Sequence, residues 1–346
     1  MTIRGSRTFT HVAGLRLRPV TWPEEAQLVA DVNNASRFAG GSLFVMNVEV
    51  IRAWYDHLVN CDLARDLQLA EADGRPVGYV RVKWRDENRG DRVHGADVFV
   101  TADAPAGAFG ALLDWVQARH VEIARTHGAV ERPRTASIST QFEPPDARSA
   151  LVSRGFVPVR YGFEMRRPSL EGIPDLPLPA GVEVRPVQPE QMRRIWEAEV
   201  EAFSGHWGAG EDSGSDAHWQ MFLADPFNRD NDLWQVAWDG DGVVGVVRPF
   251  IKDDDNARSG VRRGWCENIS TSPRWRGRGV ASALISRALR ALRERGITEA
   301  ALGVDAQNET GALHLYQKMG FREAARETEW RRPFFLDDSP ATGARP

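Results

Sequence analysis

Cysteine is almost absent: Cys61 and Cys266 are the only two among 346 residues. A pair so far apart in sequence supplies neither a disulfide framework nor the paired spacing of a metal centre, and no metal is expected. Long apolar runs are missing as well. No stretch approaches the ~20 consecutive apolar residues of a membrane span, and residues 1–11 lack the charged, apolar and small-residue sections of a signal peptide. The sequence therefore reads as cytoplasmic, without a membrane partner. Charge of one sign is also scarce. The 44 Lys and Arg against 48 Asp and Glu leave a formal net charge of −4, too little for the broad basic footprint that binds a phosphate backbone. Nucleic acid is not an expected partner, and monomer and homodimer stay open.

What is present begins with length. A chain of 346 residues exceeds the roughly 100 to 200 residues of one compact domain, so two are expected. An internal repeat supports this. Gly14-Leu15-Arg16-Leu17-Arg18-Pro19-Val20 returns 167 residues later as Gly181-Val182-Glu183-Val184-Arg185-Pro186-Val187, and Val77-Gly78-Tyr79-Val80 returns at the same offset as Val244-Gly245-Val246-Val247. Gly155-Phe156 and Gly320-Phe321 form a third pair, 165 residues apart. This is the signature of one domain duplicated in tandem. The expected boundaries are 1–168 for the first copy, a linker over 169–180, 181–335 for the second copy and a tail over 336–346. Prolines at 168, 174, 177 and 179 favour an extended, stiff linker.

Within the second copy, 181–187 alternates like a strand, and 188–203 carries Met192, Ile195, Trp196, Val200 and Phe203 at helical spacing. Two strands, 233–238 and 243–250, flank the turn Asp239-Gly240-Asp241-Gly242, a hairpin composition. A strand follows over 264–271. The segment 280–295 is an amphipathic helix, with Ala281, Leu284, Ile285, Ala288 and Leu292 on one face and Gly296 as its stop. A strand over 300–304, a helix over 310–318 and a last strand over 321–330 complete an α/β plan around a mixed, mostly antiparallel sheet.

Arg274-Trp275-Arg276-Gly277-Arg278-Gly279-Val280-Ala281 joins a strand to a helix. The first N–H groups of a helix have no intrahelical partners, and with the helix dipole they suit an anion such as a pyrophosphate. The glycines allow phosphates close to the backbone, and the arginines add positive charge. Further on stands Asn308-Glu309-Thr310-Gly311-Ala312-Leu313-His314-Leu315-Tyr316-Gln317-Lys318-Met319-Gly320-Phe321. Together the two segments resemble the signatures of the GNAT acetyltransferase superfamily: the Arg/Gln-x-x-Gly-x-Gly/Ala loop, then an asparagine, a helix with a tyrosine, and Gly-Phe. The resemblance covers roughly residues 264–321 and implies two tandem GNAT folds with acetyl-CoA, or another acyl-CoA, as co-substrate. It further implies that the amides of Arg276, Gly277, Arg278, Gly279 and Val280, with Arg274 and Ala281 beside them, hold the pyrophosphate. The strand Ile269-Ser270-Thr271 would pair with the pantetheine arm, Asn308 would contact that arm, and Tyr316 would lie beside the thioester sulfur.

The expected activity is transfer of an acetyl group to a primary amine of a small molecule. Tyr316 is the candidate acid for the departing thiolate, its alternative being a core-filling aromatic. Glu267, on the strand entering the loop, is the candidate base, its alternative being a strand-edge ion pair; as a base it is expected to matter most at low pH, where the acceptor is protonated. Cys266 alternates to the other face and reads as core. His206 and Trp207, after the first helix of the copy, are candidates for acceptor binding or for a helix-terminating turn. Aligning Gly107 with Gly277 sets Ala104, Ala106, Ala108 and Phe109 against Arg274, Arg276, Arg278 and Gly279, and Leu151 against Tyr316. The first copy is therefore expected to be degenerate. Use of another acyl-CoA in natural-product biosynthesis or antibiotic resistance, and a non-catalytic acyl-CoA-binding module, are the competing readings.

Overall fold

A computed structural model describes residues 7–8, 12–128, 130–229, 231–308 and 310–336. The tail expected over 336–346 lies outside them except for Leu336, and so does Glu309. The chain forms two compact units, one of residues 1–161 with 326–346, the other of residues 162–325.

In the first copy of the repeat the elements run β1 (Arg7–Thr8), β2 (Leu15–Pro19), α1 (Ala26–Ala39), α2 (Val48–Tyr55), α3 (Leu63–Asp66), β3 (Leu67–Ala72), β4 (Arg75–Asp86), β5 (Arg92–Val100), α4 (Ala108–Thr126), β6 (Arg134–Thr140), α5 (Ala147–Ser153) and β7 (Val157–Arg167). The second follows with β8 (Glu183–Val184), α6 (Met192–Phe203), α7 (Asp216–Ala224), β9 (Gln235–Asp239), β10 (Gly242–Ile251), α8 (Asp253–Ser259), β11 (Arg263–Thr271), α9 (Val280–Glu294), β12 (Glu299–Asp305), α10 (Ala312–Lys318) and β13 (Arg322–Pro333). Among the described residues each unit has a parallel strand pair, β5 with β6 and β11 with β12, in a sheet whose other stated pairings are antiparallel.

The two closing strands are exchanged. β13, last in the chain, pairs antiparallel with β6, Thr328 opposite Thr140 through Pro333 opposite Thr135. β7, last of the first copy, instead pairs with β12, Gly162 opposite Asp305 through Arg167 opposite Ala300. The repeat boundaries at 168 and 181 are thus not the boundaries of the compact units. Nor is 169–180 a free spacer. Leu170 is buried in the second unit's core, with Ile173, Leu176 and Leu178 packed against it. Arg290 donates to Pro174 O at 2.9 Å and to Asp175 at 2.7 Å. The prolines keep this strap extended while its leucines enter the core.

The repeat is visible in local packing. A Cβ on Gly78 would stand 2.7 Å from Phe99 O and meet Leu112 of α4; one on Gly245 would stand 2.9 Å from Ser270 O and meet Leu284 of α9. Each glycine lets a helix lie close on its sheet. After α5 and α10 the chain turns identically: Phe156 N donates to Leu151 O at 3.1 Å and Phe321 N to Tyr316 O at 3.0 Å, with Gly155 and Gly320 left-handed. Leu151 therefore is the counterpart of Tyr316. The strand expected over 181–187 is shorter, Glu183–Val184, and two helices were not expected. Of these, α7 carries a legible signal in its Ser215 cap, which accepts from His218 N, and in the spacing of Trp219, Phe222 and Leu223.

Candidate active site

β11 carries one residue too many for its neighbour. Arg248 faces Glu267 and Val246 faces Ser270, so three steps on β11 match two on β10. The extra residue is taken up at Asn268, whose φ of 49° lies in the left-handed region, which asparagine tolerates better than most residues. The bulge bends β11 away from β12. Their parallel pairing is confined to Arg263–Trp265 against Glu299–Ala301, and beyond it β12 stays paired only with β7. A fork opens, with Ile269, Ser270 and Thr271 on one prong and Leu302 to Asp305 on the other. The Thr271 hydroxyl is buried without a hydrogen-bond partner.

At the end of that prong the chain runs through a 3-10 turn, Pro273–Trp275, into α9. Gly277 and Gly279 are left-handed, with φ of 73° and 85°, and a Cβ on either would meet nothing within 4 Å. Among the described residues, the amides of Gly277, Arg278, Gly279, Val280, Ala281 and Ser282 donate to no carbonyl, because the first intrahelical bond is Ala283 N to Gly279 O at 3.0 Å. No side chain caps the helix. This run of open donors at the positive end of a 15-residue helix suits a pyrophosphate. Ser282 was missed in the sequence, though its place in the first turn implies it.

The arginines divide their work. Arg276 is engaged with the protein, its Nη2 donating to Ala202 O at 2.8 Å and its amide to Pro273 O at 3.4 Å. It thereby ties the loop to the end of α6. Arg278 lies over the Trp275 ring at 5.0 Å, and Arg274 is exposed. His206 and Trp207 follow α6 in a turn, His206 N donating to Phe203 O at 2.9 Å and its ring resting edge-on against Phe203 at 4.9 Å. Both are half-buried. The Asn308 carbonyl oxygen accepts from Thr310 N at 2.8 Å and from the Thr310 hydroxyl at 2.5 Å, which fixes the side chain ahead of α10.

Glu267 reaches across the fork, where its Oε1 accepts from Gly303 N at 3.2 Å. Burial pushes its carboxyl up to about 7, against the Gly303 bond and the charge of Arg248 and with help from Glu164. Tyr316 is 5% exposed, and its phenol is raised first by burial, then by the charges of Glu267 and Cys266. The hydroxyl therefore keeps its proton throughout the physiological range. Cys266 points into the core with Leu284 and Leu302, and burial raises its thiol. A protonated, enclosed thiol is a poor nucleophile.

Residues 192–321 match the acetyltransferase (GNAT) family. This segment is a GNAT domain. The mycothiol acetyltransferase of Geodermatophilus obscurus is 29% identical over 276 residues, which cover 78% of this chain and 82% of that one. Among solved structures, a GCN5-related N-acetyltransferase from Sphaerobacter thermophilus superposes with a TM-score of 0.66 at 24% identity, covering 93% of this chain and 96% of the other. A tandem GNAT protein from the clavulanic acid biosynthesis pathway gives 0.61 at 12% identity, with coverages of 92% and 98%. Both likenesses show the tandem GNAT fold. Among the described residues no group of three or more His, Cys, Asp or Glu side chains is arranged to hold a metal, and no helix is long and apolar enough to cross a membrane.

The first unit lacks what the GNAT domain has at three points. Its β4 and β5 run in unbroken register, and β5 stays paired with β6 over six residues, Arg92–Asp97 against Arg134–Ser139. No fork forms. Gly107, with φ 85° and ψ −8°, is the N-cap of α4 as Gly279 is of α9, so the alignment of Gly107 with Gly277 is corrected by two positions. Pro105 then stands at Gly277, and Ala102, Ala104 and Ala106 at Arg274, Arg276 and Arg278. Two of the donors are also filled, Gly107 N donating to Asp146 Oδ2 at 2.8 Å and Ala108 N to Pro105 O at 3.0 Å. Isothermal titration calorimetry should accordingly find one acetyl-CoA per chain. Two sites of similar affinity, or one that survives disruption of the 274–279 loop, would contradict this.

Proposed function

We propose that the protein transfers the acetyl group of acetyl-CoA to a primary amine of a small molecule by direct attack. What carries this reading is the fork between β11 and β12, with open amides at one end and with a raised carboxyl and a protonated phenol beside it. The amides of Gly277 to Ser282 bind the pyrophosphate, with Arg274 and Arg278 adding charge. Ile269, Ser270 and Thr271 pair with the pantetheine arm, and Asn308 contacts it. His206 and Trp207 contact the acceptor.

An ammonium is not a nucleophile, so Glu267, directly or through one water, takes a proton from the acceptor nitrogen. The amine then attacks the thioester carbonyl carbon, and the tetrahedral intermediate breaks its C–S bond. Tyr316 donates its proton to the sulfur, and the nitrogen, cationic since the attack, gives up its second proton to the resulting phenolate, leaving the neutral amide, free CoA thiol and a reprotonated Tyr316. Because burial pushes the Glu267 carboxyl up to about 7, it is itself protonated and idle at low pH. Its contribution is confined between that pKa and the pKa of the acceptor amine. This moves the window upward from the low-pH expectation drawn from the sequence.

The test is release of CoA thiol from acetyl-CoA over a panel of primary amines, with a mycothiol-type acceptor included because of the mycothiol acetyltransferase relatives. At least one amine should be turned over, with a rate that rises through pH 7 in the parent and loses that limb in Glu267→Gln. Tight acetyl-CoA binding with no amine consumed would favour the non-catalytic reading, and preference for a longer acyl-CoA would replace the donor.

A further inference from the structure

The chain holds a second strand carboxylate with an arginine opposite. In the first unit Arg81 on β4 faces Asp97 on β5; in the second, Arg248 on β10 faces Glu267 on β11. Arg81 and Arg248 are 167 residues apart, the offset of the repeat, so the pair was duplicated with the domain. Its two copies behave differently. Arg81 hydrogen-bonds Asp97 Oδ2, and Lys83 Nζ lies 3.8 Å from the same oxygen. Burial would raise the Asp97 carboxyl, but Lys83 and Arg81 outweigh it and hold it at about 2. Such a carboxylate takes no proton near neutrality.

Arg248 does not close on Glu267. Its Nε lies 3.1 Å from Glu199 Oε1 on α6, its Nη1 donates to Asn228 Oδ1, and its guanidinium sits over the Phe222 and Trp234 rings at 5.1 and 5.2 Å. Glu199 and Arg248 are 4% and 8% exposed; burial pushes the Glu199 carboxyl up to about 7, with Arg248 opposing the rise, so the pair is held most firmly above that pH. At the repeat offset from Glu199 the first unit has Val32, an apolar residue buried on α1, with nothing to draw Arg81 off Asp97.

We propose that Glu199 is a positioning residue for Glu267: by holding Arg248 it keeps the Glu267 carboxylate free to accept a proton. Without it the second unit would revert to the closed arginine–carboxylate pair of the first. The inference rests on the reading of Glu267 as the base. The groups that face Glu267 are Arg248 from β10, Glu164 from β7, the Gly303 amide from β12 and Tyr316 from α10, with Cys266 next to it on its own strand. Of these, Arg248 is the cation, and its direction decides the outcome.

Carbon-13 NMR of the full chain, labelled at the glutamate carboxyl carbons, reads Glu267 directly, its resonance being the one lost in Glu267→Gln. In Glu199→Gln the Glu267 pKa should fall by ~1 to 3 units, the usual effect of a cation at close range. Arg248→Met should raise it, and Glu199→Gln/Arg248→Met should match Arg248→Met, because Glu199 acts only through the arginine. An unmoved Glu267 in Glu199→Gln, or one not raised in Arg248→Met, overturns the inference. If Glu199→Gln does not fold, Arg248→Met and the double variant decide, since a buried pair removed together is often tolerated. The rate assay separates the two claims. Shifted titrations with a fully active Glu267→Gln would sink the base and leave the electrostatics standing; a Glu267-dependent rate with unmoved titrations would do the reverse.

Discussion

Gly279→Glu should abolish acetyl-CoA binding while the protein stays folded. Position 279 has no neighbour within 4 Å of a Cβ, so the first side-chain atom meets no clash, but the carboxylate beyond it stands where six open amides and the positive end of α9 await an anion. It would occupy this site as the Asp146 carboxylate takes the Gly107 amide in the first unit. The left-handed φ of 85° strains any residue with a Cβ by roughly 1–2 kcal/mol. Gly279→Asn is the control, because asparagine accepts that conformation and brings no charge. Calorimetry should find no binding for the glutamate variant and retained binding for the asparagine one, with circular dichroism melts confirming both folds. Binding of the glutamate variant at parental affinity would show the phosphates to lie elsewhere.

Tyr316→Phe should lower turnover by ~10²- to 10⁴-fold, the range of general acid catalysis, while acetyl-CoA affinity changes little. The ring keeps its place against Phe321, 6.4 Å away and edge-on, so the core is preserved and only the proton is lost. Since burial and the neighbouring Glu267 charge raise the phenol, the parent carries that proton at every pH in the working range. The loss should therefore be uniform with pH. Glu267→Gln should differ by losing one limb of the profile. A Tyr316→Phe enzyme as fast as the parent in steady-state CoA release would make the tyrosine a packing residue.

The parts of the site legible in the sequence are those made by neighbours in the chain. The strand–loop–helix joint at Gly279, the helix that carries Tyr316 and the alternation that separates Cys266 from Glu267 each depend on a few consecutive residues. What was not legible depends on pairing. A one-residue bulge at Asn268 opens the fork, and no local pattern distinguishes it from a regular strand. Arg248 and Glu199 read as an ordinary strand arginine and helix glutamate until folding buries both. Gly107 was matched to the wrong glycine because, in an alanine-rich loop, only the left-handed cap geometry identifies its counterpart.

The exchanged strands bear on how the chain is made. Ser137 on β6 bonds Glu329 on β13 across 192 residues of sequence, so the first unit emerges from the ribosome with its β6 edge uncovered and keeps it so until β13 has been synthesised. An open edge of that kind is a template for wrong pairing. β7, made early, meets its partner β12 sooner, about 140 residues later. A fragment ended in the proline-rich strap, where the repeat suggests a cut, would strand β7 without β12 and leave β6 bare, and its insolubility would come from an unfinished sheet, not from a weak core.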